Sequence, residues 1–450
     1  MTPGQFFSSL FTIPAPIAGV LGPMLKSIAA VWDATWWFFL PLIAAIMFWD
    51  AWKLYLHVRF LKAIKWVVLE IRVPKNVLKT PKAMEQIFAA AHSPYSYGHR
   101  PWLKYWEGLE EYFFSFELVG SAGETHFYLR TPEQYRNMME AAIFGQYPDA
   151  EVVEVDDYLK EMPKVLPNQH IDVGGFEEVF GKPNWYPLRT YLAFEEPVEE
   201  QRLDSIASLV EAMSKMTGDQ QFWFQLVIEP AGEDWVRGGE KEIDKIYGIE
   251  EKKEHKPSLF PKLDLGITMS EALRGPFEHP GEAKPAHAAE KPVKTRIASP
   301  SIREKEITEG ISSKIAKLGF KTTIRFVTIE RKEEGGQAAE RNLAFAHGYI
   351  RQFNTQNLNT LRPDAHSRTF AVYGLFSKLK KQYRKRLIYE SYTHLSKSHH
   401  PAILNIEELA TLYHFPITAV STTQLEKIES KKGAPPATLP VIEEEESVVE

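Results

Sequence analysis

The sequence predicts an α+β protein. An N-terminal transmembrane helix is followed by two ferredoxin-like (βαββαβ) α/β-sandwich domains, the second interrupted by a disordered insertion. Three observations carry this expectation. Residues 34–49, ATWWFFLPLIAAIMFW, contain no charge. Downstream, runs that alternate in hydropathy are separated by segments of 3.6-residue periodicity, the pattern of strands interleaved with helices. One stretch, FYLRTPEQYRNMMEAAIFGQYPDAEVVEV (127–155), reads as strand, helix and strand in a single unit.

The apolar run comes first. Extended to Leu54 it is 21 residues, about 31 Å at ~1.5 Å per residue, enough to cross a bilayer core. Asp50 and Lys53 fall near one end, where three-residue spacing pairs them and Lys53 snorkels. Trp36, Trp37 and Trp49 suit the two interfaces. The alternative is a buried core helix, but no later segment reads as its apolar partner. Residues 1–25 are also uncharged, yet Pro3, Pro14, Pro16 and Pro23 argue against a regular helix there. A basic n-region is missing, which argues against a signal peptide. Residues 1–33 are therefore expected as an extracytoplasmic or interfacial lead-in, with a second span as the alternative, and 34–57 as the span. Lys53, Arg59, Lys62 and Lys65 follow the span and only Lys26 closely precedes it. The positive-inside rule then gives a single-pass protein of the cytoplasmic membrane, N-terminus outside and bulk in the cytoplasm.

The body of the chain is ordinary in composition, with 44% hydrophobic and 25% charged residues. A net charge of −6 points to no nucleic-acid or acidic substrate globally. The absence of cysteine excludes disulfides, thiolate zinc sites and Cys nucleophiles together.

Residues 60–160 are expected as the first ferredoxin-like domain. KWVVLEIRVP (65–74) alternates as a strand, and a helix follows with Thr80 as N-cap and Pro81 at its first position. EYFFSFELVG and ETHFYLR form a hairpin about a Ser121-Ala122-Gly123 turn. Thr131, Pro132 and Gln134 then read as a capping box opening a helix whose inner face is Tyr135, Met138, Met139, Ala142 and Ile143. Gly145 ends it and AEVVEV is the last strand.

A second cycle is expected over 184–249 and 301–400. It comprises a strand in WYPLRTYLAFEE, a helix from Glu199 to Met216 with Leu203, Ile206, Ala207, Val210 and Met213 inward, and a strand ending at Pro230. Residues 250–300, charged and rich in Pro and Ala, read as a disordered linker. A helix from Ile302 to Leu318, a strand in FKTTIRFVTIER and a helix in QAAERNLAFAHGYIRQF resume the pattern. A duplication is one reading of this order, although no residue-level repeat supports it. Residues 401–450 hold a C-terminal motif and an acidic, unstructured tail.

Candidate chemistry is sparse. Gly181-Lys182 resembles a phosphate loop superficially, but Gly175 is one residue too far away and Pro183 stands where Ser or Thr must hold magnesium. His394, His399 and His400 could make a metal cluster, yet among Ser and Lys and without Cys a solvated loop is favoured. Asp156 and Asp157, near Glu154, could form a carboxylate site; a strand-end turn is favoured. No metal, cofactor or catalytic residue is therefore expected, and the chain is read as no enzyme. Lys378, Lys380, Lys381, Arg384, Lys385 and Arg386, with Tyr383 among them, place six cations in nine residues. Such a patch neutralises phosphates while Tyr383 stacks on a base, or it meets an acidic partner, or it is a solvated helix face.

LEIRVPKNVLKTPKAMEQIFAA, SFELVGSAGETHFYLRTP, FGQYPDAEVVEVDDY, LDSIASLVEAMSKMTGDQQFWFQLVIEP, KLGFKTTIRFVTI, IRQFNTQNLN and the C-terminal LNIEELATLYHFP and KKGAPPATLP resemble a bacterial membrane-associated family of unknown function, over roughly residues 60–440. In that family a similar region often stands directly before a type IV secretion-like, conjugation-type ATPase domain. No Walker residues follow here, so the resemblance implies no ATP hydrolysis by this chain. It implies a membrane-anchored, non-catalytic scaffold or adaptor of such a translocation apparatus, with a separate ATPase or another apparatus subunit as partner. The alternative is a membrane-tethered nucleic-acid-binding accessory using the 378–386 patch.

Overall fold

The structure, a computed structural model, describes residues 15–73, 79–95, 102–193, 204–216, 218–248, 300–332, 338–374 and 376–416. Residues 1–14, the acidic tail and all of the 250–300 linker but Pro300 lie outside the described residues. Helix α1 runs from Ala15–Ala63. It continues through Pro16, Pro23 and Pro41, so the expected break before residue 34 does not occur. Pro16 sits in the first turn, where its missing N–H has no partner to lose. The later prolines each remove one hydrogen bond from a helix 49 residues long. Within α1, Thr35–Ala63 is long and apolar enough to cross a membrane.

Among the described residues nine strands make one antiparallel sheet in the order β4-β1-β3-β2-β6-β7-β5-β8, with β9 paired to the start of β7. The first four are β1 (Trp66–Arg72), β2 (Phe114–Ser121), β3 (Glu124–Pro132) and β4 (Glu151–Glu154). Helix α2 (Lys82–Ala91) connects β1 to β2, and α3 (Arg136–Gln146) connects β3 to β4. The hairpin turn uses Ala122 and Gly123, both at positive φ (52° and 87°). That pair of left-handed residues twists the ribbon as the flanking strands require.

The expected capping box at Thr131 is absent. β3 stays paired with β1 through Pro132, opposite Trp66, and the Glu133 N–H donates to Lys65 O at 2.8 Å. Sheet pairing thus holds Thr131 and Pro132 extended, and α3 begins only at Arg136. Helix α2 likewise starts at Lys82, one residue later than expected, without a side-chain cap.

In the second half the strands are β5 (Ile171–Phe180), β6 (Gln221–Pro230), β7 (Gly319–Arg331), β8 (Leu361–Pro363) and β9 (Ala402–Asn405). The helices are α4 (Ala207–Ser214), α5 (Asp234–Ile246), α6 (Ile302–Ile315), α7 (Ala338–Arg341), α8 (Leu343–Arg351), α9 (Ser377–Thr393) and α10 (Ile406–Leu412). The expected single helix over 337–353 is thus two, divided at Asn342. Counted inward from each edge, the two halves repeat one permutation: β4-β1-β3-β2 on one side and β8-β5-β7-β6 on the other. They join where β2 pairs with β6, Glu117 opposite Gln225.

The strand expected in WYPLRTYLAFEE is not formed by its described residues. Their backbone donors are taken by other partners: Leu188 N–H by Glu408 Oε1 (2.7 Å), Tyr191 N–H by Thr411 Oγ1 (3.0 Å) and Arg189 N–H by Phe353 O. The first strand of this half is instead β5, which begins at Ile171 and runs into GGFEEVFGKPNW as far as Phe180. Gly174 and Gly175 weaken its strand pattern, and packing is the reason they are there. A Cβ on Gly175 would lie 2.7 Å from Phe326 O and 3.0 Å from Ile388 Cγ1.

One face of the sheet carries the main core. Phe116, Phe127, Phe224 and Phe326 meet Phe88 of α2, Met139 of α3, Met213 of α4 and Tyr349 of α8. The C-terminal segment 402–416 belongs to this core. β9 pairs with β7, Asn405 and Glu408 form a reciprocal capping box on α10, and Tyr413 and Phe415 stack edge-on against Phe127 of the first half. The opposite face is covered by α9 and the 158–166 segment, over Val119, Trp223 and Val327.

Candidate interaction surface

α9 carries all seven residues of the basic patch, and its two sides have different fates. The inner side docks Ile388, Tyr389 and Tyr392 on the sheet. Tyr389 donates to Pro163 O at 2.8 Å, and the Tyr392 and Tyr158 hydroxyls bond at 2.8 Å. Burial pushes the Tyr389 phenol up to about 12 and raises those of Tyr158 and Tyr392.

Beneath α9 a charged ladder crosses the sheet. Register places Glu117 of β2, Gln225 of β6, Arg325 of β7 and Glu177 of β5 side by side on one face. Arg325 donates to Glu177 Oε1 (2.6 Å), Gln225 Oε1 (2.5 Å) and Ser396 O (2.7 Å). Gln225 in turn donates to Glu117 Oε1 at 3.1 Å. Arg130 of β3 adds bonds to Glu117 (2.9 Å) and a bidentate pair with Asp157 (2.6 and 2.7 Å). Burial opposes ionisation of Asp157, but the Arg130 bonds outweigh it and hold the carboxyl below its usual range. Burial likewise opposes the charge on Arg130, and Glu117 and Asp157 overcome it. Every member of the ladder is bonded to another, so its chemistry is internal cohesion.

The predicted patch residues separate accordingly. Lys385 is buried, 2.8 Å from Asp172 and 3.3 Å from Glu340. Lys381 bonds Glu340 at 2.9 Å. Arg384 donates to Arg368 O at 3.1 Å, and burial together with the Arg368 charge lowers its pKa. Arg386 is exposed and pairs along the helix with Glu390 at 2.7 Å. Lys378, Lys380 and Tyr383 face outward. Tyr383 is 65% exposed, and beside it lie residues the sequence reading passed over: Leu379 is 69% exposed, and Tyr373, Phe376 and Leu387 continue the stripe. Positions 376, 379, 383 and 387 recur at helical spacing, so the signal was present in the sequence but hidden by the density of charge.

The other candidates resolve locally. Lys182 donates to the carbonyls of Gln356 (3.0 Å) and Asn357 (2.8 Å) and so closes a loop. Asp157 caps the short helix at Tyr158, and Asp156 pairs with Lys160 at 2.7 Å, which lowers its pKa. Among the described residues no group of three or more His, Cys, Asp or Glu is placed to hold a metal. Sequence reasoning also missed a cleft of about 630 Å³ between the end of α2 and the α5–α6 pair, lined by His92, Tyr95, Trp235 and Lys317.

A family model described as a domain of unknown function, DUF8128, matches residues 60–428. The chain belongs to the DUF8128 family. The match starts near the end of α1 and takes in the whole sheet, α9 and the C-terminal segment, so the two-faced body is the family's domain. No curated protein matches the chain.

Proposed function

We propose that this DUF8128 protein is a membrane-anchored adaptor without a reaction of its own, built on two ferredoxin-like units joined edge to edge. In this reading α1 spans a bacterial cytoplasmic membrane once, with the N-terminus outside and the sheet in the cytoplasm. The outer face of α9 receives a separate ATPase or another subunit of a type IV secretion- or conjugation-like apparatus. One observation carries the reading: the ionisable groups around α9 are spent on one another, while its exposed side is an aromatic and aliphatic stripe edged by Lys378, Lys380 and Arg386. Exposed aromatic side chains clustered in this way favour protein partners. The repeated strand permutation supports the two-unit architecture. Purification of the full chain from detergent-solubilised native membranes, with an ATPase assay of the isolated chain, tests it. Co-purifying translocation subunits and no turnover are expected; turnover by the chain alone would defeat the adaptor assignment.

Tyr383 and three outward cations also favour a second reading, a membrane-tethered nucleic-acid-binding accessory. Lys381 and Lys385, tied to carboxylates, weaken it. A salt-dependent DNA shift distinguishes the two.

A further inference from the structure

Residues 102–109, WLKYWEGL, form a short turn pressed against the end of α1 nearest the sheet. Its Leu103–Glu107 portion is a single π-helical turn closed by Gly108 at φ 73°, and a Cβ on Gly108 would lie 3.1 Å from Leu56 Cβ. Trp52 Nε1 donates to Tyr105 O at 2.9 Å. His57 bonds Glu110 at 2.8 Å, and Arg59 donates to Glu107 O. The rings form one cluster: Trp49 with Tyr105 (5.8 Å), Trp52 with Trp106 (6.2 Å) and Trp102 stacked on Trp106 (5.0 Å). Yet this cluster is not a core. Trp102 is 62% and Trp106 57% exposed, and Trp49, Leu54 and Tyr55 of α1 are exposed as well.

We infer that residues 102–109 are a second membrane contact, lying at the boundary between headgroups and acyl chains beside the anchor. The inference rests on α1 being membrane-spanning and specifies how the body sits. Depth decides the occupant. A hydrocarbon core of about 30 Å takes about 20 helical residues, which counted from Thr35 ends near Tyr55, the level of Trp52 and Trp106. Trp and Tyr concentrate at that depth because their rings are apolar and their N–H or O–H groups need polar partners. Just short of this level Asp50 and Lys53 pair at 2.7 Å, where Lys53 snorkels, and on its sheet side follow the His57–Glu110 pair, Arg59 and Lys397 bonded to Glu110. A two-point contact fixes the sheet against the leaflet and sets the direction in which α9 faces.

The chain has no cysteine, so spin labels can be placed singly in the full-length protein. Trp102→Cys and Trp106→Cys would be reconstituted in phosphatidylcholine–phosphatidylglycerol vesicles, with Ile43→Cys in the span and Glu240→Cys on α5 as references. Collision with oxygen relative to a water-soluble nickel chelate reads the depth. Ratios at 102 and 106 several-fold above 240 and below 43 are expected. Tyr105→Cys and Leu109→Cys repeat the reading should the tryptophan replacements loosen the turn. Labels as nickel-accessible as 240, with 43 in lipid, would overturn the contact and leave the anchor standing. Labels shielded from both reagents would overturn it in favour of a protein cover. A water-exposed 43 would overturn anchor and contact together.

Discussion

Replacing Arg325 with Met should be among the most damaging single changes in the protein. The Arg325 side chain is fully buried, and its guanidinium is the cation of Glu177, the donor to Gln225 and the donor to Ser396 O. Met fills much of the volume but leaves the Glu177 carboxylate without its counter-ion. Breaking a buried pair from one side costs about 3–5 kcal/mol. The orphaned Ser396 carbonyl and Gln225 Oε1 add about 1–3 kcal/mol each where water cannot reach them. A loss of at least about 3 kcal/mol corresponds to roughly 6–12 °C in melting temperature for a domain of 150–250 residues. Removing the other partner too, in Arg325→Met with Glu177→Gln, should restore part of the loss, with a coupling energy of about 0.5–3 kcal/mol. Arg386→Ala, which breaks only an exposed pair along α9, should cost less than about 0.5 kcal/mol. The assay is urea unfolding of the full chain in detergent, followed by tryptophan fluorescence, for wild type, the singles and the double. A loss below about 1 kcal/mol in Arg325→Met, or strict additivity in the double, would refute the ladder as a cohesive element.

Glu178 tests burial without a partner. Both its carboxylate oxygens are buried and unbonded among the described residues, and burial raises its folded pKa well above the ordinary 4.5. Its contribution to stability is therefore full below about pH 4.5 and lost as pH rises through the folded value. Glu178→Gln should flatten that fall in a series of melts from acid to neutral pH; an unchanged slope would contradict the assignment. Gly175→Ala should cost about 1–3 kcal/mol by forcing α9 and β7 apart, and a neutral effect on the melt would show the approach to be slack. If the nucleic-acid reading holds, Lys378→Glu, Lys380→Glu and Arg386→Glu together should abolish DNA binding, each lost phosphate contact lowering the salt slope by about one. Lys381 and Lys385 are omitted because their loss would unseat α9, and a wild type that binds no DNA at low salt ends that reading.

Local features were legible in the sequence where the chain dictates its own geometry. The Ala122–Gly123 hairpin needs only adjacent left-handed residues, and the apolar run of α1 needs only its length. Features that depend on distant partners were not. β5 was hidden because Gly174 and Gly175 are selected by what packs on them, not by strand propensity. Residues 185–193 carry a strand pattern, but their donors are claimed by α10 from more than 200 positions away in the chain. Thr131 and Gln134 match a helix start, yet pairing with β1 overrides them. The α9 patch was legible as a run of charge and illegible as two sides, since which lysines are buried depends on Asp172 and Glu340.

The central claim is that the outward stripe of α9 holds a protein partner at the membrane. A photo-crosslinking amino acid at position 383, compared with one at 240, in membranes of the native cell tests it most directly. The account predicts a discrete protein adduct at 383 that is absent at 240 and lost when Leu379→Asp is added, with the melting temperature unchanged. No protein adduct at 383, or one that survives Leu379→Asp, would contradict it.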